Sequence, residues 1–515
     1  MNSVEFIFKA ADRKGLWSRP AIYYREGTIS YEDLAGRVRR FGGALRAAGI
    51  QPGDRVAIAA PDGPEFVVSF LGTLAVGSVA VPVSTRMSAR SLGFVLGHCG
   101  ARAITIGSDQ LDKLLEIGSA LPDLEKVWII EGGAAGTAGF ADAVALSPGV
   151  DIVPMQDDDL AFILYTSGST GMPKGAMHLH RSIPYTVNAG CRQVLQVEPE
   201  DRLYSSSKLF FAYGLGNSLS FPLSSGAGSI LVSDKPTPEI IARTIARYSP
   251  TIFFAVPSVF RALCQWLSAG NRIDTGSLKF CVSAGEKLPE ALLYEWKVLT
   301  GVDVLDGIGS TEMLQMVISN ERDRIVPGTC GKPVPGYEAK LLDPEGAEIL
   351  GVGTGDLFIK GGSASSGYWK DPENTAATMQ GGWIRMGDIF HRTEQGDYKY
   401  EGRSDDLFKV SGQWVTPIEV EEAILACENV MDAAVVCGQD TDGMNIPLAF
   451  VVVKPGIRHD RALIERLKSE TSKKLPNFMC PAEYRFLSQL PRTETGKLQR
   501  FKLRGAGLMP APREN

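Results

Sequence analysis

Apolar positions in the first two thirds of the chain fall into short runs separated by amphipathic stretches. Arg55-Val-Ala-Ile-Ala-Ala60, Ala103-Ile-Thr-Ile106, Lys126-Val-Trp-Ile-Ile130 and Thr251-Ile-Phe-Phe-Ala-Val256 read as buried strands. Between them, Ser30-Tyr-Glu-Asp33 has the form of a capping box opening a helix toward Gly49, and Gln51-Pro-Gly-Asp54 reads as a turn. Strands alternating with helices predict a mixed or parallel α/β sheet. From about Tyr337 the pattern changes to short strands with Gly-rich turns, which predicts a β-rich subdomain. Beyond Arg403 it changes again. Pro417–Leu425 and Asp460–Leu475 read as helices, Ala433–Val436 and Leu448–Val453 as strands, together a compact α+β module.

One apolar run invites a different reading. Phe66 to Val83 holds 18 residues without a charge, near the lower length of a membrane span. Gly72, Gly77, Ser69, Ser78 and Pro82 interrupt it, and a buried helix followed by the strand Val79–Val83 accounts for it better.

At 515 residues the chain exceeds one ordinary core, so at least two domains are expected. A net charge of −6 gives no global reason to expect nucleic acid or an anionic membrane as partner. A basic stretch, 454–504, is read either as a solvated face or as a surface that meets polyphosphate. Eight cysteines without a C-x-x-C pair argue against zinc or a disulfide framework and for free thiols in a reducing cytoplasm. The five histidines are scattered, and His178 and His180 are expected at the surface.

The strongest chemical signal is Tyr165-Thr-Ser-Gly-Ser-Thr-Gly-Met-Pro-Lys-Gly175, which follows the apolar run Leu160–Leu164. Glycines let backbone amides approach an anion, the hydroxyls of Thr166, Ser167, Ser169 and Thr170 add donors beside Gly168, and Lys174 adds charge. The construction suits a triphosphate, although the Walker A spacing is absent.

This stretch resembles the phosphate-binding signature of the adenylate-forming superfamily. Four further strings resemble that family's motifs in order: Asp306-Gly-Ile-Gly-Ser-Thr-Glu312, Trp383-Ile-Arg-Met-Gly-Asp388, Gly402-Arg-Ser-Asp-Asp-Leu-Phe-Lys-Val-Ser-Gly412, and Pro491-Arg-Thr-Glu-Thr-Gly-Lys497. The resemblance spans nearly the whole chain. It implies an α/β fold in which residues 1–402 form a large domain for nucleotide and acid. Residues 403–515 would form a small mobile domain with its hinge at Asp405.

The resemblance also implies the chemistry. A carboxylate is a poor electrophile, and attack of its oxygen on the ATP α-phosphate makes a reactive acyl–AMP. Bringing a carboxylate against a polyphosphate demands positive charge. Lys497, Thr166 and Glu312 are the expected catalytic groups, with Glu312 as ligand of Mg²⁺, a cation that takes hard oxygens. Adenine would lie against Ser283, Ala284, Gly285 and Glu286 and against Asp306, Gly307 and Ile308, and Gly309, Ser310 and Thr311 would also belong to the cofactor site. Many relatives have Tyr where this chain has Ile308. Asp388 would accept the ribose hydroxyls beside Arg403, and Lys409, Gly412 and Trp414 would meet the pantetheine of CoA.

The segment Lys208-Leu-Phe-Phe-Ala-Tyr-Gly-Leu-Gly-Asn217 lacks the acid with which amino-acid-activating relatives pair a substrate ammonium, so an amino acid is disfavoured. With Met313–Leu314 and Ser411–Trp414, it looks most like benzoate-CoA ligases and their aryl-acid kin. Ala212, Tyr213, Gly309, Leu314 and Gln315 would line the acid pocket, and Gln315 replaces a His usual in benzoate ligases. A ring hydroxyl on the acid, or a hydroxycinnamate, is therefore open. ATP, Mg²⁺, CoA and an aryl acid are the expected cofactor and partners, with monomer and homodimer both open. A non-catalytic ATP-binding descendant is the alternative of a different class.

Overall fold

The structure, a computed structural model, describes every residue except 119–120, 132–137, 168–172, 441, 493–497 and 508–515. The side chains of Ala138, Ser167, Asp405 and Ala506 are also outside the description. The chain divides into two compact units. One comprises 1–339 with 358–384, the other 340–357 with 385–515.

The first unit is built on two sheets. A seven-stranded sheet runs in the order Ala138–Gly139, Lys126–Ile130, Ala101–Gly107, Arg55–Ala59, Val79–Pro82, Leu160–Ser167, Pro173–Leu179. Its strands are parallel except for the last, which returns as a hairpin. A nine-stranded sheet has a parallel centre, including Ile252–Ala255, Phe280–Ser283 and Val304–Gly309, and antiparallel strands at both ends. Central parallel strands are covered on both faces, which is why they read as unbroken apolar runs.

The helices follow local rules. Ser30 Oγ accepts from the Asp33 amide and starts Tyr31–Ala47. The uncharged run folds as the buried helix Pro64–Ala75 and the strand Val79–Pro82. Gly72 is needed there: a Cβ would stand 2.8 Å from the Phe41 ring and 3.1 Å from the Val38 carbonyl. It lets the two helices pack backbone against side chain. No helix among the described residues is long and apolar enough to cross a membrane.

The second unit contains a three-stranded sheet. Val430–Gln439 and Asn445–Val453 pair antiparallel, and Glu483–Phe486 adds parallel. The helices Pro417–Leu425 and Arg461–Ser472 cover it and bury Val420, Ile424, Leu463 and Leu467. A buried charge cluster ties the last helix, Arg500–Gly507, to this unit. Arg500 grips both oxygens of Glu421 at 2.7 and 2.8 Å and reaches Asp406 at 3.1 Å, and Arg504 also bonds Asp406.

Candidate active site

The phosphate motif sits on the edge hairpin of the seven-stranded sheet. Thr166 faces Lys174 across the ladder, with Tyr165 opposite Gly175. The tip, with Gly168, Ser169 and Thr170, lies outside the described residues. A crossing segment closes on the hairpin's other edge. Ser366 N donates to Met177 O, Met177 N to Gly367 O, and Trp369 N to Gly175 O. That pairing sets Tyr368 opposite Ala176. The Lys174 ammonium stands 5.5 Å from the centre of the Tyr368 ring and donates to Asn374 Oδ1. Asn374 lies on the helix Pro372–Thr378, capped by Asp371.

Glu312 meets the hydroxyl end of the same side chain. The Tyr368 hydroxyl donates to Glu312 Oε1 at 2.7 Å. Three donors hold three consecutive carbonyls of the Glu312 turn: His178 Nε2 the Thr311 oxygen at 2.8 Å, the Ser365 amide the Glu312 oxygen at 2.7 Å, and Ser363 Oγ the Met313 oxygen at 2.8 Å. Every carbonyl held is one fewer way for the turn to relax. The carboxylate is half-buried and has no ion-pair partner among the described residues, so it is uncompensated where positive charge would be favourable. Its oxygens are hard ligands of the kind that suits Mg²⁺.

The histidines correct the expectation of a surface role. His178 and His180 are both fully buried. On a helix an i, i+2 spacing would turn the two side chains apart, but His178 lies on the strand Pro173–Leu179. Its ring stacks on Phe162 at 5.0 Å, and His180 Nδ1 accepts from the Ser3 amide. Burial depresses both rings to about 4, so both are neutral near pH 7.

Ser283 and Asp306 are register partners at the carboxyl ends of adjacent parallel strands, where open α/β sheets bind ligands. Gly285 follows with φ of +93°, a left-handed turn that leaves the strand end open. Ser283 Oγ and Asp306 Oδ1 are buried without a hydrogen bond of ordinary geometry, while Cys330 Sγ donates to Asp306 Oδ2 at 3.5 Å. Burial pushes the Asp306 carboxyl well above the carboxylate range. The Ser283 hydroxyl beside that carboxyl opposes the shift, and polar atoms held so loosely at a strand end suit a base with its own donors and acceptors.

The residues expected around the acid gather nearby. Tyr213 is the second residue of a helical stretch that begins at Ala212, and its hydroxyl donates to Val282 O at 3.1 Å. Leu314 takes φ of +69°, a left-handed conformation that costs an ordinary side chain energy and turns the chain sharply before Gln315. Gln315 is buried, and its amide bonds inward: Oε1 accepts from the Met316 amide at 2.9 Å, and Nε2 donates to Asn217 Oδ1 at 3.1 Å.

In the second unit, Asp388 pairs with Arg403 across two antiparallel strands, and Arg403 Nη1 donates to Asp388 Oδ1 at 3.1 Å. Asp388 is buried and Arg403 exposed. The hairpin Phe408–Val410 with Gln413–Val415 turns through Ser411 and Gly412, both with positive φ. It shows a half-exposed Trp414 with the Lys409 ammonium 4.7 Å above its ring. The expected catalytic Lys497 lies outside the described residues.

Residues 7–369 match the AMP-binding enzyme family, and 419–497 match the AMP-binding enzyme C-terminal domain. The chain belongs to this family.

Similarity to individual AMP-binding enzymes extends over nearly the whole length. A benzoate–CoA ligase of Thauera aromatica is 42% identical over 93% of this chain and 91% of its own. A 4-hydroxybenzoate–CoA/benzoate–CoA ligase of Rhodopseudomonas palustris is 35% identical over 98% and 93%. Among solved structures, an anthranilate CoA ligase in complex with anthranoyl-AMP superposes with a TM-score of 0.92 at 34% identity, covering 98% of this chain and 97% of that one. A benzoate CoA ligase from Burkholderia xenovorans LB400 gives 0.89 at 35%, covering 98% and 100%.

Sequence reasoning missed several residues that the fold brings to the candidate site of this AMP-binding enzyme. Tyr368 and Asn374 lie about two hundred positions from Lys174 in no motif, so only the folded chain joins them. Asn217 closes the string Phe211–Asn217 and could have been found there as a polar residue ending an apolar run.

Proposed function

We propose that the protein is an ATP-dependent aryl carboxylic acid–CoA ligase, converting acid, ATP and CoA into acyl-CoA, AMP and pyrophosphate. The convergence of Lys174, Tyr368 and Glu312 carries this reading, because it sets a cation and an uncompensated carboxylate at one phosphate-type hairpin. The relatives named for benzoate and hydroxybenzoate point to an aryl acid.

In the first half-reaction the acid's oxygen attacks the α-phosphorus and pyrophosphate leaves. In the second, the CoA sulfur attacks the acyl carbon, its proton is lost and AMP leaves. Lys174 and the Thr166 hydroxyl bind phosphate oxygens, and Tyr368 orients both Lys174 and Glu312. Mg²⁺, held by Glu312 and Thr166, would supply charge neutralisation when bound. We assign the ribose to Asp388 and Arg403, the α-phosphate to Lys497, and pantetheine to Lys409, Gly412 and Trp414. A domain boundary at 402/403 with its hinge at Asp405 belongs to the same proposal. The eight free cysteines suit a reducing cytoplasm, which cell fractionation would test.

The deciding experiment is mass spectrometry of products from ATP, Mg²⁺, CoA and a panel of benzoates, hydroxycinnamates and fatty acids. An aryl-CoA is expected. No acyl-CoA from any acid would favour a non-catalytic ATP-binding protein.

A further inference from the structure

A buried amide pair runs along the wall assigned to the acid, and its orientation is forced. The Met316 N–H can only donate, so the atom of Gln315 that meets it at 2.9 Å must be the carbonyl oxygen. Gln315 therefore turns its NH₂ toward Asn217, and Asn217 must answer with its own oxygen, at 3.1 Å. The far end of Asn217 is then a donor and cannot be an acceptor.

One N–H of that donor is left over. Asn217 is fully buried, and its Nδ2 has no hydrogen bond of ordinary geometry. The amide stands beside the Tyr213 hydroxyl, which itself donates to Val282 O. Even a bond to that phenol oxygen would leave the second N–H of the amide unused. Tyr213 and Asn217 are four residues apart on one helical stretch, so they share a face. Gly216 lies between them, and a Cβ there would stand 2.0 Å from Gln315 Nε2, which shows how tightly the wall is closed. A buried donor without an acceptor is costly, and a site that keeps one discriminates against a ligand unable to satisfy it.

We propose that Asn217 is a specificity-determining residue of the acid pocket and that it selects ring-hydroxylated benzoates. The ring hydroxyl oxygen accepts from Asn217 Nδ2, and its hydrogen turns to the second lone pair of Gln315 Oε1. Benzoate offers neither group. An aminobenzoate offers mainly N–H, which Asn217 cannot use. The inference rests on the reading of Tyr213, Gly309, Leu314 and Gln315 as the acid pocket.

The test is a kcat/KM comparison of benzoate, the three monohydroxybenzoates and the three aminobenzoates, read as aryl-CoA formation. At least one hydroxybenzoate is expected to exceed benzoate and every aminobenzoate by about tenfold or more. Asn217→Leu, of nearly the same shape, should bring the hydroxybenzoate-to-benzoate ratio close to one with the KM for ATP unchanged. If that variant does not fold, Asn217→Ser, which shortens the donor, takes its place and the wild-type ratio still decides. Wild-type preference for benzoate over all three isomers overturns the proposal and leaves the ligase reading intact. So does an unchanged ratio in the variant, with a buried water then the partner of Nδ2. Absence of aryl-CoA from every acid removes both readings together.

Discussion

The Tyr368 hydroxyl donates to Glu312 Oε1 at 2.7 Å, and the same ring lies under the Lys174 ammonium. One side chain thus sets the direction of a carboxylate and the position of a cation brought together from distant parts of the chain. Tyr368→Phe should keep the ring and free the carboxylate. A hydrogen bond to a charged group contributes about 1.5–3 kcal/mol, less where it is partly exposed. The expected result is about a tenfold rise in the Mg²⁺·ATP concentration needed for half-maximal ATP–pyrophosphate exchange. An unchanged Mg²⁺ dependence would mean that Glu312 is held by its backbone alone.

Two glycines at the acid wall should behave differently. A Cβ on Gly309 would stand 2.2 Å from the Gln315 carbonyl, a backbone atom that cannot step aside. On Gly216 it would meet the end of the Gln315 side chain. Gly309→Ala is expected to lower stability by roughly 1–3 kcal/mol, as overpacking does, and to impair every acid. Gly216→Ala should raise the KM for the acid about tenfold and leave that for ATP alone. Thermal unfolding and steady-state kinetics read the two effects, and a Gly216→Ala enzyme with normal acid KM would place Gln315 away from the pocket.

Lys497→Ala separates the half-reactions. Acyl–AMP formation is expected to fall at least a hundredfold, while thioester formation from supplied aryl–AMP and CoA stays within a few-fold of wild type, an expectation grounded in the loss of a charge that acts on the first step only. Rapid-quench assay of each half-reaction checks this. Equal loss of both would contradict the assigned role.

His178 and His180 predict acid lability. Their rings titrate near 4 in the folded chain against 6.5 when exposed, so the neutral form is the one that folds. Their contribution to stability is complete above pH 6.5 and is lost as pH falls toward 4. Asp62 acts oppositely. Burial raises its carboxyl to about 6 despite Lys208, so its protonation favours the folded state. Asp306 and Glu421, whose carboxyls burial also raises, act in the same sense as Asp62, so the histidine contribution is read from the difference between wild type and a histidine variant. His178→Gln, which keeps a donor for Thr311, should shift the change in urea midpoint between pH 6.5 and 4 toward greater stability at the acid end than in wild type. A slope equal to wild type would show that His178 is solvated.

Much of this was legible in the chain, for a physical reason. Val436 and Val451 declare buried strands because apolar runs of that length have no other soluble use, and the helix Pro417–Leu425 carries its own start signal in Pro417. Asp388 and Arg403 were expected together and do pair. What stayed hidden depends on distant contacts. His178 holds a carbonyl 133 residues away, and nothing near it in sequence marks that task. Asn374 and Tyr368 reach Lys174 because a segment far along the chain crosses its strand. Gln315 looked like a group wholly offered to the substrate, yet Met316 and Asn217 engage both ends of its amide and leave one lone pair of Oε1.

The grip of Arg500 and Arg504 on Asp406 and Glu421 gives the last helix an importance out of proportion to its eight residues. A polypeptide shortened to end before Arg500 would keep two sheltered anions and lose the guanidinium groups that neutralise them, and stranding such charges costs about 3–5 kcal/mol. Affinity handles and reporters fused at this end are therefore best appended after residue 507, with the helix left whole.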